Sequence, residues 1–297
     1  LAERLDTLYR GLTFGDLMAR PQGPDLLVTA TDLTTGAPFE FTPEQFALIC
    51  GDLSKLPLSF AVASSSAVPL LLTPMTLRNH AGQCERPRDS PPPATGDESY
   101  RARLLRMAAA SYQDVAARPY VHLVDGGLVD NLGVRGVLDR IVAGGSLAAA
   151  FRAAKPASIR KIVLIAVNSE RDLGERIDQS DHVPTVRQVI DTLLFGAGSR
   201  LTQTTLAMMS DDVRIWRSEI EAIRGRVDSP FAADAELHVV SLSLHDVPSA
   251  TARRDALSVP TALTISPDQV DLLIGAGREA LRQSPQFQAL RASLDVK

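Results

Sequence analysis

Aromatic side chains are scarce in this sequence, at 5% of 297 residues, and cations hold no majority, with 31 Lys and Arg against 35 Asp and Glu. Recognition of nucleic acid by a basic surface with stacking rings is therefore not expected. Long apolar runs are also missing. A membrane-crossing helix needs about 20 such residues, and the nearest stretch, FAVASSSAVPLLLTPM, is broken by serines and by Pro69 and Pro74. Cysteine occurs only at Cys50 and Cys84, with no histidine at ligand spacing beside them, which argues against a zinc site. The pair reads either as two independent thiols or as a disulfide, the latter because Cys84 lies in a polar stretch where a tether would hold the chain. There is no internal repeat. The first residue is Leu1 and not Met, and LAERLDTLYRGL places Leu1, Leu5, Leu8 and Leu12 on one helical face. The chain is thus expected to begin inside a longer protein, and the lack of a signal peptide carries no information.

What is present reads as an ordinary globular chain, 45% apolar and 22% charged with a net charge of −4. The length suits one large α/β domain over 1–297, with a core at about 25–170, an extension of helices and a strand at about 184–297, and an exposed loop at 81–99. DLLVTATDL reads as a strand, TTG as a turn and APFEF as the returning partner of a hairpin. TPEQFALI offers a Thr cap with Pro43 in the first turn of a helix. Pro69 must bend or end the helix in LPLSFAVASSSAVPLLL, whose small residues imply close packing. The stretch from Glu98 to Ala117 predicts a helix with an apolar stripe at Leu104, Leu105, Met107, Ala108 and Tyr112. PYVHLV is the next strand, and VRGVLDRIV has helical spacing. IRKIVLIAVN is continuously apolar and β-branched, as in a central parallel strand covered on both faces. Helix is expected from Pro184 to about Ile223, then a strand over Ala235–Leu244, then a helix opened by the Ser266, Pro267 and Gln269 capping pattern. Strands alternating with helices predict a largely parallel sheet.

The stretch HLVDGGLVDNLG, from His122 to Gly133, is where chemistry concentrates. Asp125 ends an apolar strand, at the edge where open α/β sheets gather their ligands. Gly126 and Gly127 allow positive φ and the close approach of another group. A helix starting near Asp130 or Asn131 would bring its positive end close. Taken alone, the motif fits a structural turn, a catalytic carboxylate or, with Asp130, a metal pair; no further ligand cluster accompanies the last.

In order along the chain, VTATDLTTGAPFEF, AVASSSAVPLLLTPM, VHLVDGGLVDNLGV and KIVLIAVN resemble the patatin-like phospholipase family of serine acyl hydrolases. The resemblance runs from about Asp25 to Asn168 and more loosely to SPDQVDLLIGAGREALRQSPQF. It implies a three-layer α/β/α sandwich with a mostly parallel central sheet and metal- and cofactor-independent hydrolysis of lipid or other carboxylic esters. It also implies association with a membrane surface and a Ser-Asp dyad in which Asp125, in its motif with Gly126 and Gly127, is the general base. The family's Gly-x-Ser-x-Gly nucleophile and glycine-rich oxyanion loop are absent from these 297 residues, so the expected nucleophile lies upstream of Leu1. The chain alone is then expected to be inactive. The rival reading is a non-catalytic binding or interaction module that keeps the fold. Bacterial members similar to this chain include envelope and secreted proteins.

Several residues mimic catalytic groups. Ser146 in GGSLA follows a helix and is read as the cap of the next one. Ser199 in GAGSR lies in a helical stretch. Ser64, Ser65 and Ser66 lack flanking glycines and are read as close packing beside the site wall. Histidines are scattered at 80, 122, 182, 238 and 245; His122, three residues before Asp125, is read as a packed strand residue facing away from it.

Overall fold

The computed structural model describes residues 1–20, 23–84, 99–169, 181–192, 197–260, 262 and 264–295. The protein is mixed α/β and divides into two compact units, Leu1–Ser146 and Leu147–Lys297.

The first unit opens with α1 (Ala2–Tyr9) and α2 (Phe14–Met18). Leu8 of α1 is exposed, so the face expected of Leu1, Leu5, Leu8 and Leu12 is not a buried one. Strand β1 (Thr29–Asp32) turns at Gly36, φ 66, into β2 (Pro38–Glu40), forming the expected hairpin. Helix α3 (Pro43–Leu48) starts where Thr42 Oγ1 accepts the Gln45 amide at 3.3 Å. Helix α4 (Leu58–Ser65) ends before Pro69, and Ala61, Ala63 and Ser64 are buried along it. Then come β3 (Met75–Arg78), α5 (Tyr100–Ser111), β4 (Tyr120–Val124), α6 (Gly127–Asp130) and α7 (Arg135–Ala143).

The four strands lie in the order β2-β1-β4-β3, each antiparallel to its neighbour. The largely parallel sheet read from alternating elements does not form here. A hairpin turn fixes the sense of β1 and β2, and α5 is not a crossover helix laid on the sheet, since none of its residues is buried. Instead Arg101 at its start is ion-paired with the buried Asp139 of α7 at 2.6 Å. Its predicted apolar stripe is therefore divided: Leu105 and Ala108 are half-buried and Tyr112 just beyond is buried, while Leu104 and Met107 are exposed.

The few aromatic residues are concentrated. Phe39 packs edge-on against Phe41, Phe46 and Tyr112, and Phe41 also meets Phe14 and Phe60. Edge-to-face pairs of this kind add about 0.5–1.5 kcal/mol each beyond the apolar area they bury. Cys50 and Cys84 are joined in a disulfide with Cα atoms 5.8 Å apart, tying the end of α3 to the chain after β3. Within the loop expected at 81–99, Ala81 is buried, its amide held by Asn79 Oδ1 at 3.0 Å, and residues 82–84 are exposed. Positions 85–98 lie outside the described residues.

The second unit contains α8 (Leu147–Ala150), β5 (Ile159–Asn168), α9 (Val186–Asp191), α10 (Ala197–Ile223), β6 (Phe231–Ser243), α11 (Ala250–Ser258), α12 (Pro267–Gln283) and α13 (Pro285–Asp295). Here β5 and β6 are parallel, with α9 and α10 between them in sequence. Helix α10 buries Met209, Val213, Trp216 and Ile220 at helical spacing. Helix α12 starts at the expected capping box of Ser266 and Gln269. Strand β5 is not covered on both faces: Val163, Ile165 and Val167 are 40%, 47% and 64% exposed, and β6 is its one partner among the described strands. On β6, Val240 and Leu242 are covered by Leu290 with Leu281 and Phe287. Among the described residues no helix is long and apolar enough to cross a membrane.

Candidate functional site

Strand β4 buries Val121, Leu123 and Val124 and delivers Asp125 to its end. The backbone there is held from two sides. The Asp125 amide donates to the Ala67 carbonyl at 3.0 Å and the Gly126 amide to the Ser65 carbonyl at 3.2 Å, both just past or at the end of α4. From β1, the buried Thr31 donates its hydroxyl to the Asp125 carbonyl at 2.7 Å. Each bond of this kind contributes on the order of 1 kcal/mol, and together they fix where the carboxylate emerges.

Neither glycine works by the positive φ expected of it. Gly126 has φ −68 and ψ −26, an ordinary helical conformation, and Gly127 is likewise outside the left-handed region. Close approach is the reason instead. A Cβ on Gly126 would lie 2.2 Å from the Thr29 carbonyl oxygen, and one on Gly127 would lie 2.9 Å from Asp125 Oδ1. Only a residue without a side chain lets β1 and the turn come this near.

The Asp125 side chain is half-buried, and its Oδ1 accepts the Gly127 amide at 2.7 Å. Burial pushes its carboxyl above the usual range, with the Gly127 amide opposing the shift. Among the described residues no Arg, Lys or His side chain pairs with it. A carboxylate partly stripped of water and without a cation is a stronger base than a solvated one.

The helix expected near Asp130 or Asn131 divides in two. The single turn α6 starts at Gly127, directly behind Asp125, and α7 starts only at Arg135. Asp130 is buried between them, and its Oδ2 accepts the Arg135 amide at 2.8 Å, so it serves the start of α7. Burial raises its carboxyl too, against bonds from the Arg135 and neighbouring amides. Among the described residues no three His, Cys, Asp or Glu side chains gather as a metal set.

The serine run abuts Asp125. Ser64 is fully buried and donates to the Phe60 carbonyl at 2.8 Å within α4, while the Ser65 hydroxyl lies 3.4 Å from where a Gly126 Cβ would be. Ser146 stands between α7 and α8, with no strand leading into it. The first α8 amides, of Leu147 and Ala148, are each taken by Glu219 at 2.9 Å. Ser199 is inside α10. His122 is exposed and not packed; its Nδ1 meets Thr76 Oγ1 at 2.9 Å.

Two constellations were not evident from the sequence. In the second unit, His238 lies 3.2 Å from Ser293 Oγ and 3.0 Å from Glu236 Oε2, a set with the composition of a hydrolase triad. Both contacts use the same nitrogen, Nε2, whereas a relay needs the acid on one ring nitrogen and the serine on the other. Ser293 moreover donates to the Leu290 carbonyl at 2.7 Å, so this set does not activate a nucleophile. In the first unit, Asp32 at the end of β1 is wholly buried. It accepts the Tyr112 hydroxyl at 3.0 Å and the Thr34 amide at 3.0 Å and is ion-paired with Arg118, whose guanidinium lies 4.7 Å from the Tyr112 ring centre. Burial beside Asp32 drives the Tyr112 hydroxyl pKa far upward, so that this phenol keeps its proton.

No family model matches the chain, and no curated protein or solved structure matches it.

Proposed function

We propose that the chain is the C-terminal part of a patatin-like lipid acyl hydrolase, a phospholipase or esterase, in which Asp125 is the general base. The nucleophilic serine and the oxyanion loop belong to protein preceding Leu1, and the complete enzyme has the three-layer α/β/α sandwich. The observation that carries the reading is Asp125 itself: a half-buried carboxylate, raised in pKa by burial, bonded among the described residues to the Gly127 amide and to no cationic side chain, and held in place by Thr31, Ser65 and Ala67.

In the reaction, the carboxylate removes the serine proton as the serine oxygen bonds to the ester carbonyl carbon. The proton then passes to the departing alcohol, and water repeats the sequence on the acyl-serine. Gly126 and Gly127 present no side chain that would keep the serine from the carboxylate. The Cys50–Cys84 disulfide supports an oxidising compartment such as a cell envelope or the exterior.

The test compares p-nitrophenyl ester turnover by residues 1–297 alone and by the protein extended upstream. The extended protein is expected to be active and the shorter chain inactive, with Asp125→Asn lowering kcat of the active form about 10²–10⁴-fold. Turnover unaffected by Asp125→Asn overturns the reading. The absence of Gly-x-Ser-x-Gly from the 297 residues favours a second reading, a binding module that keeps the fold, in which the extended protein also has no esterase activity.

A further inference from the structure

The Cys50–Cys84 disulfide is open to water at one end and sheltered at the other. Cys84 is exposed, as are Gly82 and Gln83 before it, while Cys50 is half-buried directly after the buried Ile49. The chain on each side of the bond is also held without it. The Ile49 carbonyl accepts the His80 amide at 3.0 Å, and the Gly51 amide donates to the Phe46 carbonyl at 2.9 Å. Ahead of Cys84, the buried Asn79 donates Nδ2 to the Tyr112 carbonyl at 2.8 Å and to the Arg118 carbonyl at 2.9 Å, and its Oδ1 accepts the Ala81 amide at 3.0 Å. The Gln83 amide then closes a turn onto the His80 carbonyl at 3.0 Å. Opening the disulfide therefore leaves both cysteines on anchored backbone. Two thiols kept this close meet at a high effective concentration, so the bond can form again.

We propose that Cys84 is a site of reversible thiolation, at which a low-molecular-weight thiol opens the bond and stays attached. Access selects the sulfur that is attacked, and exposed disulfides are the ones that exchange readily. The incoming thiolate sulfur bonds to Cys84 Sγ as the Cys84–Cys50 bond breaks. The electron pair of that bond leaves on Cys50, which takes a proton from water. One disulfide replaces another, so no oxidant or reductant is consumed. Attack by the Cys50 thiolate on the mixed disulfide expels the small thiol and restores the original bond. The exchange is independent of any chemistry at Asp125.

The experiment incubates the folded 297-residue chain with glutathione, alkylates the free thiols at low pH and digests with trypsin, which separates Cys84 in peptide 79–88 from Cys50 in peptide 11–55. Mass spectrometry is expected to find glutathione on Cys84 in at least about tenfold excess over Cys50, with the alkyl group on Cys50. Removing the glutathione should return the disulfide. Cys50→Gly, a replacement suited to φ 51 at that position, leaves no internal thiol to expel the adduct. Once this variant is loaded with oxidised glutathione, its Cys84 adduct should persist after the free glutathione is removed. The opened chain and the variant should melt lower than the closed chain, because the unfolded state gains freedom, yet keep their circular dichroism at room temperature. Glutathione found mainly on Cys50, a bond that opens only in denaturant, or loss of the folded spectrum on opening overturns the proposal.

Discussion

Asp32 closes β1 and Asp125 follows β4, and antiparallel pairing of Thr31 with Val124 puts these two carboxylates at opposite ends of one strand pair. Asp32 is the more deeply buried, yet it is bonded by Arg118, the Tyr112 hydroxyl and the Thr34 amide. Asp125 keeps some contact with water and, among the described residues, has the Gly127 amide as its side-chain partner. The sheet thus contains one carboxylate whose charge is compensated and one whose charge is not. Full compensation makes the first a fixed part of the core, and partial desolvation without a cation leaves the second able to take a proton.

Replacing Asp32 by Asn is the most damaging way to erase the difference. Arg118 would keep its charge in the interior without an anion, a loss of about 3–5 kcal/mol for breaking one side of a buried pair. Urea denaturation measures it, and a loss below about 1 kcal/mol would mean that the Arg118 pairing does not hold the β1 end. Next in size is Gly126→Ala, whose Cβ would meet the Thr29 carbonyl at 2.2 Å. Backbone must move to relieve that contact, at a cost of about 1–3 kcal/mol in the same denaturation; an unchanged midpoint would show that β1 and the Asp125 turn are not as closely packed as described.

The smallest effect has the opposite sign. Burial raises the Asp125 pKa above its ordinary 3.8, so between those two values the folded chain holds a proton that the unfolded chain releases. The associated stability is fully present below pH 3.8 and is lost as pH rises through the higher folded value. Asp125→Asn removes this dependence. The variant should be slightly more stable than the original at pH 7, with the gap closing as the solution is acidified toward 3.8. A variant less stable at pH 7 would place Asp125 with Asp32, as a carboxylate the fold needs in its charged form.

The asymmetry between the two residues follows how each could be read. Asp125 was legible because its environment is local: an apolar strand before it and two glycines after it. Asp32 also ends an apolar strand, but Tyr112 and Arg118 lie 80 and 86 positions away, and nothing in TATDLTTG announces them. The same distinction runs through the fold. The hairpin, the Thr42 cap and the Ser266 capping box depend on neighbours within a few residues and formed where expected. Strand direction in the first unit, the exposed face of β5 and the division of the α5 stripe depend on distant partners. For α5, helical periodicity places Leu104 and Leu105 equally well toward the core; Asp139 and the site that receives Tyr112 decide between them.

Between Cys50 and Cys84 runs the stretch that contains α4 and the Ser65 and Ala67 carbonyls holding the Asp125 turn. A protease that cut the chain once anywhere between the two cysteines would leave two pieces still joined by their sulfurs. The pieces would migrate together on a non-reducing gel and separate only with reductant. The segment that holds the Asp125 turn would therefore stay covalently attached to the rest of the chain after a single backbone cut.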